Sequence, residues 1–134
     1  MRRIVVTGTG LVGPLGSGTE ISWRRLLEGK SGIRSLPDEI SDDLPVKIGG
    51  IVPGLIEDSE AGFDPDLIVD TKDQRKMDRF IVFALAAAKE ALETAGWHPA
   101  SGYERERTAT IIASGIGGFP AIASAVRLTE SRGA

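Results

Sequence analysis

Three glycines near the amino terminus have the spacing of a phosphate-binding loop. Gly8, Gly10 and Gly13 fit the pattern G-x-G-x-x-G directly after a β-branched apolar run. In dinucleotide-binding folds a helix begins at such glycines, so that its amide groups and its dipole meet the pyrophosphate. Nucleotide binding is therefore the first chemistry to consider for this chain.

The residues that follow Gly13 argue against this chemistry. Pro14, Gly16 and Gly18 would break the first two turns of a helix that began at the glycines. The acid that should follow about 20 residues later, to hold a ribose, would be Glu28, which the pattern places in a helix. The sequence favours a strand that ends in a tight glycine turn beneath a packed helix. A nucleotide-binding module stays as an alternative, which a shift of the melting curve with NAD or ATP would support.

Other reactive side chains are few. The 134 residues contain no cysteine, which excludes disulfides, thiolate metal ligands and thiol nucleophiles from them. The single histidine, His98, cannot form a multi-histidine metal site, and it is predicted to lie in an exposed polar turn. We therefore expect no metal and no cofactor.

Charge and hydropathy limit the partners and the location. The formal net charge of -3 gives no reason to expect nucleic acid or an anionic membrane as a partner. No apolar run approaches the roughly 18 to 20 residues that cross a bilayer, and the start of the chain does not fit a signal peptide. The sequence predicts a cytoplasmic protein.

The order of strand-like and helix-like segments is typical of an α/β fold. Residues 3–7 and 108–113 are β-branched and apolar, and they predict two buried strands. Ser17 and Glu20 fit a capping box, which predicts a helix from about Thr19 to Glu28. Residues 31–72 contain four prolines and predict a surface excursion with one short strand candidate, VKIGGIV.

The carboxyl-terminal half contains two further predicted helices. The longer runs from an N-cap at Asp78 to a stop at Gly96, and its alanine-rich stripe predicts a central, buried helix that packs closely on another element. The turn WHPASGYERE, the strand candidate and the segment SGIGGFP lead to a last helix from about Pro120.

An acidic stretch precedes a short basic one. Residues 38–70 contain ten acids and one base, Lys47, whereas residues 71–79 contain four bases and two acids. Lys72, Arg75 and Lys76 thus form a basic cluster just ahead of the long helix, where the helix dipole slightly disfavours positive charge.

Five segments carry a resemblance to a known family. VVTGTGLVGPLG, SWRRLLEGKSGI, DQRKMDRF, ALETAGW and ASGIGG resemble, in order and spacing, the amino-terminal part of the type II β-ketoacyl-acyl carrier protein synthases, which are condensing enzymes of the thiolase fold. The sequence departs mildly at Gly13-Pro14, where the family usually has Ser-Pro, and residues 36–70 do not align.

The resemblance implies a fold and an activity. Residues 1–134 would form one domain, an incomplete amino-terminal βαβαβαββ half of the thiolase-like fold, which ends before the family's cysteine nucleophile and its two histidines. The intact enzyme would condense acyl groups with malonyl-acyl carrier protein by decarboxylative Claisen condensation, as a homodimer. The 134 residues alone are then expected to be catalytically silent, with no catalytic residue among them.

The resemblance also implies two binding features. Ile116, in SGIGG, would line the acyl pocket near the dimer interface and influence chain length; read without the family, it is a core residue in a glycine-rich turn. Lys72, Arg75 and Lys76 would dock the acidic acyl carrier protein; read without the family, they are a solvated face. A third class of function, a small interaction or structural protein, would be supported if the gene ended naturally at Ala134.

Overall fold

The computed structural model describes residues 3–133 as a set of helices with two small antiparallel sheets. The strands are β1 Val12–Gly13, β2 Gly16–Ser17, β3 Ile33–Ser35 and β4 Ile48–Gly50. The helices are α1 Thr19–Leu27, α2 Asp38–Ser41, α3 Thr71–Gln74, α4 Arg79–Ala95, α5 Gly102–Glu106 and α6 Phe119–Arg132, with a 3-10 turn at Pro65–Leu67. Both helices and strands are present, as expected of a partial α/β domain, but the strands all lie in residues 12–50 and only helices follow them.

The two sheets are antiparallel ladders of two strands each. In the first, Val12 faces Ser17; in the second, Ile33 faces Gly50 and Ser35 faces Ile48. The short strand expected in VKIGGIV is confirmed by β4, but its partner β3 was not predicted.

The two predicted buried strands are wrong for this structure. Residues 3–7 and 108–113 have no regular secondary structure and no ladder partner among residues 3–133, and their side chains are exposed; Ile111 is 92% exposed. A strand is stabilised by its hydrogen-bonded neighbours and by the pairs of side chains across them, and neither run has such a neighbour here.

Helix α1 has the predicted bounds but not the predicted cap. Its N-cap is Gly18, which has φ +113° and makes no side-chain hydrogen bond, so the expected capping box of Ser17 and Glu20 does not form. Instead the Glu90 carboxylate of α4 accepts the backbone N–H of Thr19 at 2.6 Å. An acid near a helix N-terminus also complements the dipole. The cap thus comes from a residue 71 positions away, which a local motif cannot reveal.

The glycines of the opening motif pack directly on α4. A Cβ at Gly8 would lie 2.6 Å from the Ala95 nitrogen, and a Cβ at Gly10 would lie 2.9 Å from the Ala91 nitrogen and overlap the Ala87 carbonyl oxygen. Gly13 has no atom within 4 Å of the corresponding position. The alanine stripe therefore packs closely on another element, as predicted, and two of the three glycines serve this approach.

Helix α4 begins and ends where the sequence predicts. Asp78 is the N-cap, and Gly96 ends the helix in the left-handed conformation with φ +62°, which glycine adopts without strain. Only Val82 and Ala86 of α4 are buried, so the helix is less buried than the sequence predicts. The helix is half-buried, because its outer face has no cover in the part of the chain described.

The hydrophobic core lies between α4 and the preceding loop. Phe63 is buried together with Val82 and Ala86, and its ring meets that of Phe83 edge to face with centroids 4.9 Å apart. Phe63 and Ala61 are each only 5% exposed. Residues 31–72 are thus not a purely surface excursion, because they supply the aromatic centre of the core.

Two helices complete the carboxyl-terminal half. The expected turn WHPASGYERE contains the short helix α5, where Ser101 and Glu104 form a capping box that the sequence reading did not predict. Helix α6 begins one residue before the predicted Pro120, which occupies its first turn.

The packing of Gly10 can be tested against Gly13 as a matched control. Gly10→Ala should lower the free energy of unfolding by about 1–3 kcal/mol, because the new methyl group overpacks the backbone of α4. Gly13→Ala should change it by no more than about 0.5 kcal/mol, since that position is open. Urea unfolding of both variants measures the difference; equal effects would contradict the close packing.

Candidate functional site

The basic cluster lies on the surface between α3 and α4. Lys72, in α3, is exposed, as are Arg75 and Lys76, which lie in the link between the two helices. The Lys76 ammonium group forms an exposed ion pair with Asp73 at 2.7 Å. Within residues 3–133, Arg75 forms no ion pair. The cluster therefore presents positive charge to solvent rather than to the core.

An open cleft of about 320 Å³ separates this cluster from the start of α6. The lining comes from both sides and comprises Arg75, Lys76, Met77, Asp78, Ile81, Pro120, Ala121 and Ser124. The structure thus brings two of the three basic residues next to the helix that follows the SGIGG segment, although more than 40 positions separate them in sequence.

Ile116 lies in the turn between residues 108–113 and α6. Its side chain is 68% exposed. The turn itself is irregular, since Gly117 has φ +105°, a conformation that favours glycine. Ile116 is therefore neither the core residue of the family-independent interpretation nor a lining residue of the cleft, and its role in an acyl pocket stays a prediction.

His98 is exposed, as predicted for a turn residue. Within residues 3–133, the histidine and the carboxylates do not come together in a group of three or more that could hold a metal ion. The glycine motif offers no helix start to a phosphate, because α1 begins at Thr19 and the backbone at Gly8 and Gly10 faces α4.

The main ion-pair network lies elsewhere and fastens a loop to α1. Both terminal nitrogens of Arg25 donate to the Asp58 carboxylate, and one of them also donates to the Leu15 carbonyl oxygen at 2.9 Å. Glu60 accepts from Arg24 and from Arg25. The side chains of Arg25 and Asp58 are only 13% and 16% exposed, so this pair is shielded from solvent more than a typical surface pair.

These contacts shift the protonation of the acids. The hydrogen bonds from Arg25, supported by the backbone N–H groups of Ala61 and Glu60, hold the pKa of Asp58 well below its usual range. Hydrogen bonds from Arg24 and then Arg25 lower the pKa of Glu60. The network is structural, since it joins α1 to the loop 53–63 that leads into Phe63.

Sequence reasoning missed the residues that link distant segments. The Glu90 carboxylate joins two of them, because it accepts the backbone N–H of Leu11 at 2.9 Å as well as that of Thr19. Nothing in the sequence around Glu90 indicates this role, and the residue looks like one polar position on a helix. The sequence marks Asp78 as an N-cap candidate, but it does not indicate that the Asp78 carboxylate lies against Gly118.

Comparison with protein families shows to which family the chain belongs. The family model described as "Beta-ketoacyl synthase, N-terminal domain" matches residues 1–133. The chain belongs to this family. The resemblance inferred from the five sequence segments is confirmed, and the domain is referred to below as the synthase domain.

Curated relatives of the synthase domain include proteins named as 3-oxoacyl-[acyl-carrier-protein] synthases. The "3-oxoacyl-[acyl-carrier-protein] synthase 2" of Rhizobium meliloti is 45% identical over 133 residues, which are 99% of this chain and 31% of the relative. A mitochondrial 3-oxoacyl-[acyl-carrier-protein] synthase of Arabidopsis thaliana is 39% identical over 95% of this chain and 30% of the relative. A putative polyketide beta-ketoacyl synthase 2 of Streptomyces halstedii is 35% identical over 87% of this chain and 26% of the relative. The chain thus spans about a third of the length of the relatives it matches.

No helix among residues 3–133 is both long enough and apolar enough to cross a bilayer.

The Arg25–Asp58 pair predicts an acid-sensitive part of the stability. Because the folded-state pKa of Asp58 lies below its unfolded value of about 4, the pair contributes fully above that value and its contribution is lost as the pH falls through the folded pKa. In Asp58→Asn the free energy of unfolding should be lower at pH 7 and should fall less steeply between about pH 5 and pH 2. Urea unfolding at several pH values measures both slopes.

Asp43→Asn is the matched control for this experiment. Asp43 is exposed and forms no ion pair within the described part of the chain. Its substitution should leave the slope close to that of the unmodified protein. Identical slopes in Asp58→Asn and Asp43→Asn would show that the network does not set the acid sensitivity.

Proposed function

We propose that this synthase domain is the amino-terminal part of a 3-oxoacyl-acyl carrier protein synthase of fatty acid synthesis. The observation that carries the proposal is the family match over residues 1–133, together with relatives whose names state that activity. The exposed basic cluster supports it independently, since acyl carrier proteins are strongly acidic and complementary charge raises the encounter rate and sets orientation.

The complete enzyme would act by decarboxylative Claisen condensation. An acyl group passes from the carrier thiol to a cysteine thiolate, and malonyl-carrier protein then loses carbon dioxide. The carbanion formed attacks the acyl thioester, and the cysteine thiolate leaves as the carbon–carbon bond closes. These steps need a nucleophile and a stabilised oxyanion. The 134 residues contain no cysteine, so we expect them to serve binding and architecture rather than bond formation.

Two exposed apolar runs support a thiolase-like half-domain of the βαβαβαββ type. Residues 3–7 and 108–113 are apolar and exposed, and Ile4 is 97% exposed. In the complete enzyme we propose that both runs are strands of a central sheet, where such residues gain stability by burial. A homodimer and a cytoplasmic location belong to the same proposal, although one relative is mitochondrial by name.

The docking role of the basic cluster can be separated from folding. In the full-length enzyme, combined Lys72→Glu, Arg75→Glu and Lys76→Glu should raise the KM for acyl-carrier protein severalfold or more and weaken its dependence on salt. Turnover of a small acyl-pantetheine thioester should be nearly unchanged, because that substrate lacks the acidic protein surface. Steady-state kinetics with both substrates measures the contrast.

A charge-matched control completes that test. Lys30, Lys89 and Arg107 are exposed and lie outside the cluster. Their joint substitution by Glu changes the net charge equally and should leave the KM for acyl-carrier protein within about twofold, if local rather than total charge matters. An equal loss with both substrates in the cluster variant would mean that the cluster supports structure, and the docking role would be abandoned.

The acyl-pocket role of Ile116 predicts a change of specificity. Ile116→Phe in the full-length enzyme should shorten the preferred acyl chain, because the larger side chain takes up pocket volume. The ratio of kcat/KM for long and short acyl chains measures this. Ile56→Phe, at a fully exposed loop position, is the control and should leave the ratio unchanged. An unchanged profile in Ile116→Phe would count against the pocket role.

A further inference from the structure

Asp78 occupies the N-cap position of α4 but does not cap the helix. Its backbone is extended, with φ -71° and ψ 149°, and its side chain accepts no hydrogen bond from the first turn. An aspartate at this position ordinarily accepts one from the second or third amide of the helix. The orientation of the side chain therefore needs another explanation.

The Asp78 carboxylate lies against the backbone of Gly118, the N-cap residue of α6. A Cβ at position 118 would overlap the carboxylate and would lie 3.1 Å from the Cβ of Asp78, closer than side chains normally pack. Asp78 is half-buried in this position. It fills the space that any other residue at position 118 would need for its side chain.

This contact bears on the turn that carries Ile116, two residues before Gly118. The backbone reverses at Gly117, where φ is +105°, and α6 then begins with a hydrogen bond from the Ile122 N–H to the Gly118 carbonyl oxygen at 3.1 Å. The segment that carries Ile116 thus leads directly into α6, whose N-cap residue Gly118 lies against the Asp78 carboxylate.

The other neighbour of Asp78 is the basic cluster. Arg75 and Lys76 precede it in a tight link in which the Lys76 N–H donates to the Asp73 carbonyl oxygen at 3.0 Å. Arg75, Lys76 and Asp78 all line the cleft that faces α6. Asp78 is therefore the residue of this short link that contacts the N-cap residue of α6.

We infer that Asp78 is a positioning residue that fixes the distance between the carrier-docking cluster and the turn of Ile116. The inference rests on the proposed function of those residues. A pantetheine arm has a fixed length, so the depth that an acyl chain reaches depends on how far the pocket lies from the docked carrier. By holding Gly118 against the link 75–78, Asp78 keeps that distance constant and thereby sharpens chain-length selection.

The first test removes the contact in the full-length enzyme. Asp78→Ala should reduce the ratio of kcat/KM between the preferred and a disfavoured acyl chain length at least threefold with carrier-bound acyl groups. Pantetheine-bound acyl groups should lose little selectivity, because they are not anchored at the cluster. The KM for acyl-carrier protein should stay within about twofold. Asp78→Asn keeps the shape and removes the charge, and it should restore most of the selectivity. A role in stability alone would lower kcat for all chain lengths together.

The second test moves the side chain that fills this space from position 78 to position 118. Gly118→Ala places a methyl group where the carboxylate lies, and it should blunt the selectivity in the same way. Asp78→Gly in the same protein returns the space, and glycine is well accepted at an N-cap. The double variant should recover at least half of the selectivity that Gly118→Ala loses. This result tests the contact even if Asp78→Ala does not fold.

The outcomes separate this inference from the proposed function. An unchanged selectivity in both single variants would overturn it, and so would a failure of the double variant to recover. An equal loss with pantetheine-bound substrates would also overturn it, because Asp78 would then shape the acyl pocket independently of the docked carrier, while the proposed function stood. If the unmodified full-length enzyme condensed no carrier-bound acyl group, both the proposed function and the inference about Asp78 would be wrong.

Discussion

The close approach of the backbone at Gly8 and Gly10 to helix α4 is the constraint on which the described structure depends. Any side chain at these positions would overlap the helix backbone, so the amino-terminal segment can lie on α4 only if positions 8 and 10 are glycine. Once it lies there, Glu90 can reach the amides of Leu11 and Thr19, which fixes both the glycine turn and the start of α1. A motif that suggests phosphate binding in the sequence thus works as a packing surface.

Helix α4 organises both halves of the synthase domain. Its carboxyl-terminal half packs on the glycine segment, and its amino-terminal half buries Val82 and Ala86 against Phe63. The carboxylate of Asp78, at its start, contacts Gly118, the N-cap residue of α6. The basic cluster and the Ile116 turn are therefore arranged around one end of the helix. The carboxyl-terminal half of α4 packs on the glycine segment, whereas its start lies beside the residues proposed to recognise the carrier protein. Substitutions at one end therefore need not disturb the other.

The three longest helices, α1, α4 and α6, could be predicted from the sequence, whereas the short helices and the contacts between distant segments could not. Helix α4 carries its own signals, an N-cap aspartate and a left-handed glycine, and both lie at its ends as expected. The cap of α1 comes instead from Glu90, and the burial of Phe63 depends on helix residues that follow it by about 20 positions. The runs 3–7 and 108–113 have strand composition, but a strand also needs a neighbour, and local pattern does not supply one.

Carbodiimide cross-linking can test whether the basic cluster faces an acidic carrier protein. The reagent joins carboxylates to amines that touch them, and mass spectrometry then locates the linked lysines. With acyl-carrier protein and the full-length enzyme, we expect links from carrier carboxylates to Lys72 and Lys76, lost at high salt. Links to Lys30 or Lys89, with none in the cluster, would contradict the account.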